Sequence, residues 1–221
     1  MKSLFSSFLQ PYVGNSKNGW QYCGLKGQVK YLKTYYMDHR YNGESDRLII
    51  VEEFFNTRGD LVTLIERRED KMPRYFVYEY ERGLLKPEKG HYIYDNNGYL
   101  IEVQDKNYSD KYIYNANGEL MEILNQWGNS QQITKFAFNT KGLITHKYLY
   151  DLGRSESIAQ EKEIFEYDPL YHLISYQMNT SIIEYQYLRY DNKGNWLYRL
   201  EDYRNKFNKI YITQRQIEYY L

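Results

Sequence analysis

Apolar and polar positions alternate with period two in short runs, and the same punctuation closes run after run. Tyr92-Ile93-Tyr94 leads into Asp95-Asn96-Asn97-Gly98 and leaves through Tyr99-Leu100. About 20 residues later the pattern returns as Tyr112-Ile113-Tyr114-Asn115-Ala116-Asn117-Gly118-Glu119-Leu120. Weaker copies stand at Phe136-Ala137-Phe138-Asn139-Thr140-Lys141-Gly142, at Leu188-Arg189-Tyr190-Asp191-Asn192-Lys193-Gly194-Asn195-Trp196, and at Phe54-Phe55-Asn56-Thr57-Arg58-Gly59-Asp60-Leu61. A degenerate copy, Phe165-Glu166-Tyr167-Asp168-Pro169-Leu170-Tyr171-His172-Leu173, has tyrosine in the glycine slot. Self-similarity of this kind marks a repeat architecture.

The unit has a local physical reading. Asp or Asn opening a turn accepts a hydrogen bond from the backbone two residues on, and glycine in the fourth place supplies the positive φ that closes a bulged hairpin. Asp95, Gly98, Asn115, Gly118, Asn139, Gly142, Asp191 and Gly194 are therefore assigned as structural turn residues. In the incoming strand Tyr112 and Tyr114 share one face and Ile113 takes the other, because strand side chains alternate. The outgoing runs Leu100-Ile101-Glu102-Val103 and Leu120-Met121-Glu122-Ile123-Leu124 do not alternate cleanly, which leaves open which face is inside.

The predicted fold is all-β: repeated antiparallel hairpins forming a twisted meander or an open, solenoid-like sheet, in a single domain over residues 1–221. Residues 1–20 are read as an N-terminal cap, with a short helix as one form of it. Residues 20–90 carry degenerate repeats and 91–221 clearer ones, ending in a long strand from Lys209. Linkers are expected at 66–73, 86–90 and 151–157, with the charge run Glu66 to Lys71 as a solvated loop.

Composition sharpens this picture. The chain has 28 Tyr, 9 Phe and 3 Trp against 4 Pro, a vocabulary that suits half-buried pleated surface. Lys plus Arg and Asp plus Glu number 29 each, so no global field favours nucleic acid. Mean hydropathy is −0.80, but aromatic residues at 18% argue against disorder. Cys23 stands alone, which removes intrachain disulfides and multi-cysteine zinc sites. No run reaches the roughly 18 apolar residues of a membrane helix. The start, from Met1 to Pro11, lacks a leader pattern, so a cytoplasmic protein is expected, or a secreted or periplasmic one whose leader is absent from the sequence.

On Tyr92 to Leu100, Tyr112 to Leu120 and Arg189 to Trp196, the chain resembles bacterial RHS/YD-repeat proteins, whose units read Tyr-x-Tyr-Asp-x-x-Gly-x-Leu. The opening Gly24-Leu25-Lys26-Gly27-Gln28-Val29-Lys30 and the closing Gly194-Asn195-Trp196 with Arg215-Gln216-Ile217-Glu218-Tyr219-Tyr220 resemble a smaller group of YD-like bacterial proteins of unknown function. Long members build β shells or carry toxin domains, and short ones are often secreted lipoproteins. This chain departs from both, being too short to enclose a cargo and lacking a lipoprotein leader.

Candidate chemistry is sparse. His39, His91, His146 and His172 are scattered without metal-ligand spacing. The stretch from Asp105 to Asp110 lacks the glycine and the twelfth acidic residue of a calcium loop. No nucleophile elbow or phosphate loop occurs, while a glycosidase carboxylate pair would leave no spacing to read. Trp127, in the turn-rich segment 125–130, is either buried or an exposed anchor for a partner. Trp196 occupies the slot of Leu100 and Leu120 and reads as core. No cofactor or metal is expected. The functional expectation is a non-enzymatic protein-binding module, of the kind that serves as an immunity or accessory protein in a bacterial toxin system. The alternative is a carbohydrate or cell-envelope binding module using exposed Tyr and Trp.

Overall fold

The computed structural model describes residues 25–39, 47–69, 71–81, 84–86, 91–152, 161–204 and 209–221. The cap assigned to 1–20, its helix, Cys23 and Gly24 lie outside the described residues, as do 87–90 and 153–157 of the expected linkers. Every regular element among the described residues is a strand. In chain order they are β1 (Val29–His39), β2 (Arg47–Phe55), β3 (Leu61–Arg68), β4 (Lys71–Val77), β5 (Tyr80–Glu81), β6 (Leu84–Leu85), β7 (His91–Tyr94), β8 (Leu100–Asp105) and β9 (Tyr108–Tyr114). Then come β10 (Leu120–Trp127), β11 (Ser130–Phe138), β12 (Ile144–Asp151), β13 (Glu161–Tyr167), β14 (Leu173–Met178), β15 (Ser181–Tyr190), β16 (Trp196–Arg204) and β17 (Lys209–Tyr219).

The chain divides into two compact units. One holds the described residues between 79 and 160, the other those from 25 to 78 and from 161 to 221. In the first, β7 to β12 follow one another as an antiparallel meander, with β5 and β6 as a separate small pair. In the second, the order is β4-β3-β2-β1-β17-β16-β15-β14-β13. The last strand thus lies beside the first, along a ladder from Val29↔Tyr219 to His39↔Ile210.

Two kinds of reversal join these strands. At the Asx-x-x-Gly turns the flanking pairs are Phe55↔Leu61, Tyr94↔Leu100, Tyr114↔Leu120, Phe138↔Ile144, Tyr167↔Leu173 and Tyr190↔Trp196, each preceded by a register shift. Elsewhere two-residue connections close the pairs Asp105↔Tyr108, Trp127↔Ser130 and Met178↔Ser181. Gly128 (φ 55°) and Asn179 (φ 54°) occupy the first position of two of these, where a tight hairpin turn needs positive φ. The segment from Asp105 to Tyr108 is one of them, a plain hairpin.

In the first unit the tyrosine face is the inner one. Leu100, Val103, Tyr112, Ile123 and Phe136 form the buried core, with Tyr92, Tyr94, Tyr108, Tyr114, Leu120, Phe138 and Ile144 packed against it. Ile113, between Tyr112 and Tyr114, points the other way and is 50% exposed. In the second unit Leu25, Val29, Leu32, Val51, Phe55, Leu61, Leu64, Ile183 and Trp196 are buried.

One expectation is corrected. The stretch 66–73 is not a linker: its described residues belong mostly to β3 and β4, which pair up to Arg68↔Lys71. Glu66 is buried rather than solvated. It accepts a 2.5 Å hydrogen bond from Arg68 Nε and lies 3.7 Å from Arg74. The charge run is therefore a cross-strand ion set, with opposite signs brought onto one face by the register.

The assignment of faces makes an inverted prediction. Truncating the polar-looking Tyr112 to Ala should cost about 3 kcal/mol or more, and Ile113→Ala should change stability by only about 0.5 kcal/mol. Urea denaturation of the two variants checks this; equal losses would mean the faces are assigned wrongly.

Candidate functional site

The recurrent turn is built the same way each time. At Asp95 the backbone N–H donates to the Tyr99 carbonyl (2.9 Å), and Gly98 N–H returns to the Asp95 carbonyl (3.0 Å). The Asp95 side chain then bridges the turn, its Oδ1 accepting from the N–H groups of Asn97 (2.9 Å) and Tyr99 (2.8 Å). Asn115, Asn139, Asp168 and Asp191 repeat both side-chain bonds with residues two and four further on, and Asn56 does so with Arg58 and Asp60. One acceptor oxygen makes both of these bonds, so for them alone Asp and Asn serve equally. Gly59, Gly98, Gly118, Gly142 and Gly194 have φ between 72° and 87°. Gly118 is constrained twice, since a Cβ there would also meet the Tyr99 hydroxyl.

A fifth position completes the motif and was not legible as part of it. The second side-chain atom of the opening residue pairs with the residue after the glycine slot. Asn115 Nδ2 donates to Glu119 (2.6 Å) and Asn56 Nδ2 to Asp60 (2.9 Å). Where the opening residue is aspartate the polarity reverses: Asn195 Nδ2 donates to Asp191 (3.2 Å), and His172 Nδ1 lies 2.9 Å from Asp168 Oδ2, which can only accept. Donor faces acceptor across positions one and five in these four turns.

The Asp191 turn also gathers the opening and closing motif pieces, which are 169 residues apart. Asn195 accepts from Lys26 N–H (2.6 Å), donates to the Lys26 carbonyl (2.9 Å) and reaches the Tyr219 hydroxyl (2.7 Å), which itself donates to Asp191. Lys193 lies over the Tyr219 ring, 4.7 Å from its centre. Below this corner Arg215 stacks on Trp196 at 3.6 Å and Arg199 approaches the same indole at 4.6 Å. Glu201 holds Arg199 (2.6 Å) and the Thr213 hydroxyl (2.8 Å), so the buried charge is paired and hydrogen-bonded. Burial pushes the neighbouring Tyr185 and Tyr203 hydroxyls far above the ordinary phenol range. Burial would also raise the Asp191 carboxyl, but the Tyr219 hydroxyl, Asn195 and the Lys193 amide outweigh it and hold it below the usual carboxylate range. Asp168 is lowered in the same way by His172 and the Leu170 amide against its burial.

The assigned residues thus sit at five separate reversals, four Asx turns and the Trp127 hairpin, rather than in one site. Asp95, Asn115 and Gly118 line a shared surface cavity of about 490 Å³ with Tyr99 and Tyr114. Trp127 closes a two-residue hairpin and is 46% exposed, while Trp196 is buried. Among the described residues no three His, Cys, Asp or Glu side chains are grouped to hold a metal. The degenerate turn carries a feature the pattern only hinted at. Tyr171 takes the left-handed conformation (φ 69°) that its sister turns give to glycine, an unusual state for a bulky residue. Tyr171 is 54% exposed, Leu170 69%, and Tyr190, whose ring lies 5.3 Å from that of His172, 40%.

No protein-family model matches the chain, and no curated protein matches it. Among solved structures it is similar to a porin-like protein from Bacteroides uniformis, with a TM-score of 0.58 and 10% identity over 87% of this chain and 98% of that one. At that identity the likeness concerns the fold alone. A TcdB2-TccC3-Cdc42 complex is also similar in part, with a TM-score of 0.30 and 13% identity over 72% of this chain and 11% of that one.

Two predictions follow from the turn chemistry. Asn115→Asp sets two carboxylates against each other and should lower stability at neutral pH by about 1 kcal/mol; adding Glu119→Gln, which can donate, should recover most of it. A double-mutant cycle by urea melts reads the coupling, and strictly additive losses would refute the pairing. The lowered carboxyls of Asp168 and Asp191 stabilise the fold fully above the unfolded carboxylate pKa of about 4 and lose that contribution as pH falls through their folded values. Melting temperature should therefore hold from pH 7 to about 5 and decline below about 4; a decline already complete at pH 6 would contradict it.

Proposed function

We propose that the chain is a non-enzymatic protein-interaction module related to YD-repeat proteins, acting in the manner of an immunity or accessory protein of a bacterial toxin system. The Tyr-x-Tyr-Asx-x-x-Gly turns support the kinship. The observation that carries the binding role is Tyr171. Five sister turns use glycine, and replacing it by tyrosine costs about 1–2 kcal/mol of left-handed strain without burying the ring. A strained, exposed tyrosine beside exposed Leu170, in a turn whose His172 ring meets that of Tyr190, is the composition of a partner-facing anchor. Leu188, 50% exposed on the same strand as Tyr190, adds aliphatic surface that suits a protein pocket better than a sugar face.

Stability and binding should move in opposite directions on Tyr171→Gly. The variant keeps or raises Tm, because the strain is relieved, and loses the partner. Affinity purification from the native host, with wild type, Tyr171→Gly and Leu170→Asp compared by mass spectrometry, tests the reading. A partner retained by wild type and absent from both variants supports it. An unchanged set of captured proteins, or a partnerless monomer that turns over a substrate, overturns it.

A further inference from the structure

Two of the six Asx turns lack the pairing of positions one and five. In the Asn139 turn the fifth residue is Leu143, and Asn139 is exposed to water. In the Asp95 turn the fifth residue is Tyr99, and the opening residue is a half-buried carboxylate. Asp95 Oδ1 accepts from the N–H groups of Asn97 and Tyr99, and no donor among the described residues reaches Oδ2. The sister aspartates keep that oxygen occupied, Asp168 by His172 and Asp191 by Asn195 and Tyr219.

Tyr99 reaches to the next turn instead. Its ring packs against that of Tyr114, with centres 5.0 Å apart and planes tilted by 39°, and its hydroxyl lies against Gly118. Tyr114 is itself held by its hydrogen bond to the Leu100 carbonyl (2.9 Å). Asp95, Tyr99, Tyr114 and Asn115 thereby wall the cavity of about 490 Å³ shared by these two turns, and no lysine, arginine or histidine lines it. The charged groups around it leave Asp95 without a counter-ion. Glu119 is bonded to Asn115 and adds a second negative charge. Lys86, whose neighbour Leu85 accepts from Tyr94, lies 3.9 Å from Glu79. Lys141 is exposed on the third turn, outside the cavity walls.

We propose that this cavity binds a primary alkylammonium group, the head of a lysine side chain or of a free amine. The ammonium donates to Asp95 Oδ2, and its alkyl stem packs on the Tyr99 and Tyr114 rings, whose faces also attract a cation. An ammonium suits the site better than a guanidinium, because the fork of arginine matches two carboxylate oxygens and Asp95 Oδ1 is already committed to the turn. One available oxygen beside aromatic walls matches a compact point charge. The inference stands apart from the Tyr171 reading, since the two surfaces lie in different units.

Titration of the ¹⁵N-labelled full chain, followed by two-dimensional NMR, tests it. The probes are n-butylamine, the peptide acetyl-glycyl-lysyl-glycinamide, the same peptide acetylated on Nζ, and its arginyl counterpart. At pH 7 the butylammonium ion and the lysyl peptide should give saturable shifts at Asn97, Gly98, Tyr99 and Gly118, and the other two peptides should bind at least about tenfold more weakly. Both orders of affinity between the first two probes support the proposal and separate its sources: a tighter lysyl peptide indicates a protein partner, a tighter butylammonium a free amine. Asp95→Asn keeps the acceptor that the turn needs and removes the charge, so it should hold Tm within about 2 °C and weaken butylammonium binding about tenfold. Tyr99→Leu, which copies the fifth residue of the third turn, should weaken it about threefold, and it carries the test should Asp95→Asn fail to fold. Asn139→Asp, which adds a carboxylate to a turn whose fifth residue is leucine, should create no second set of shifts. Absence of saturable shifts, equal binding of the acetylated or arginyl peptide, wild-type affinity in Asp95→Asn or Tyr99→Leu, or an equal response at the Asn139→Asp turn overturns the proposal.

Discussion

The structure depends on one oxygen atom used repeatedly. In each Asx turn a single Oδ1 accepts two backbone N–H groups that the hairpin reversal would otherwise leave without partners, at the point where the register slips by one residue. A bulge is costly because it takes amides out of the ladder. The Asx side chain supplies the acceptor locally, and the positive-φ residue three places on lets the chain return. With the reversal fixed, the register of both flanking strands is fixed, and with it the face on which every side chain lands.

That dependence explains why the fold was readable and where reading stopped. The opening Asx and the closing glycine are identities with one physical use each, so their recurrence announced antiparallel hairpins. The fifth position varies in identity, as Glu119, Asp60, Asn195 and His172, and only its complementarity to the first position is constant. A search for repeated residues does not see a repeated relationship. The two-residue reversals at 106–107, 128–129 and 179–180 were equally hidden, since Lys-Asn, Gly-Asn and Asn-Thr share no letter pattern beyond a tolerance for turns. The charged stretch around Glu66 was misread because solvation is the default for a charge run, and only the cross-strand register shows Arg68 and Arg74 converging on one carboxylate.

Which face is buried was also beyond the pattern, and the reason lies in the hydroxyl. Isoleucine is the more apolar residue, yet Ile113 faces out and Tyr112 and Tyr114 face in. The buried face must pack side chains and also satisfy carbonyls exposed by the bulges. Tyr114 reaches back to donate to the Leu100 carbonyl (2.9 Å), just past the preceding turn, and Tyr187 does the same to Leu173 (2.9 Å). Both links span 14 residues. Tyrosine therefore joins these two hairpins to the ones before them, which an aliphatic side chain cannot do, and in such links it is an ordinary structural part.

A tyrosine-rich composition is for this reason a poor guide to binding by itself, and the informative residues are those that break the structural rule. Tyr171 breaks it by occupying a glycine conformation while exposed. Tyr198 and Tyr35 depart from it differently: they lie opposite Gln214 on both sides of β17. The same register that places Arg199, Glu201 and Thr213 inside, with Arg199 and Thr213 both bonded to Glu201, puts Arg189, Tyr198 and Gln214 on the alternate positions. A sheet that pairs its interior charge in this way carries a second set of polar groups on its other face. Function in such a scaffold is expected where the register delivers side chains that the hairpins do not need.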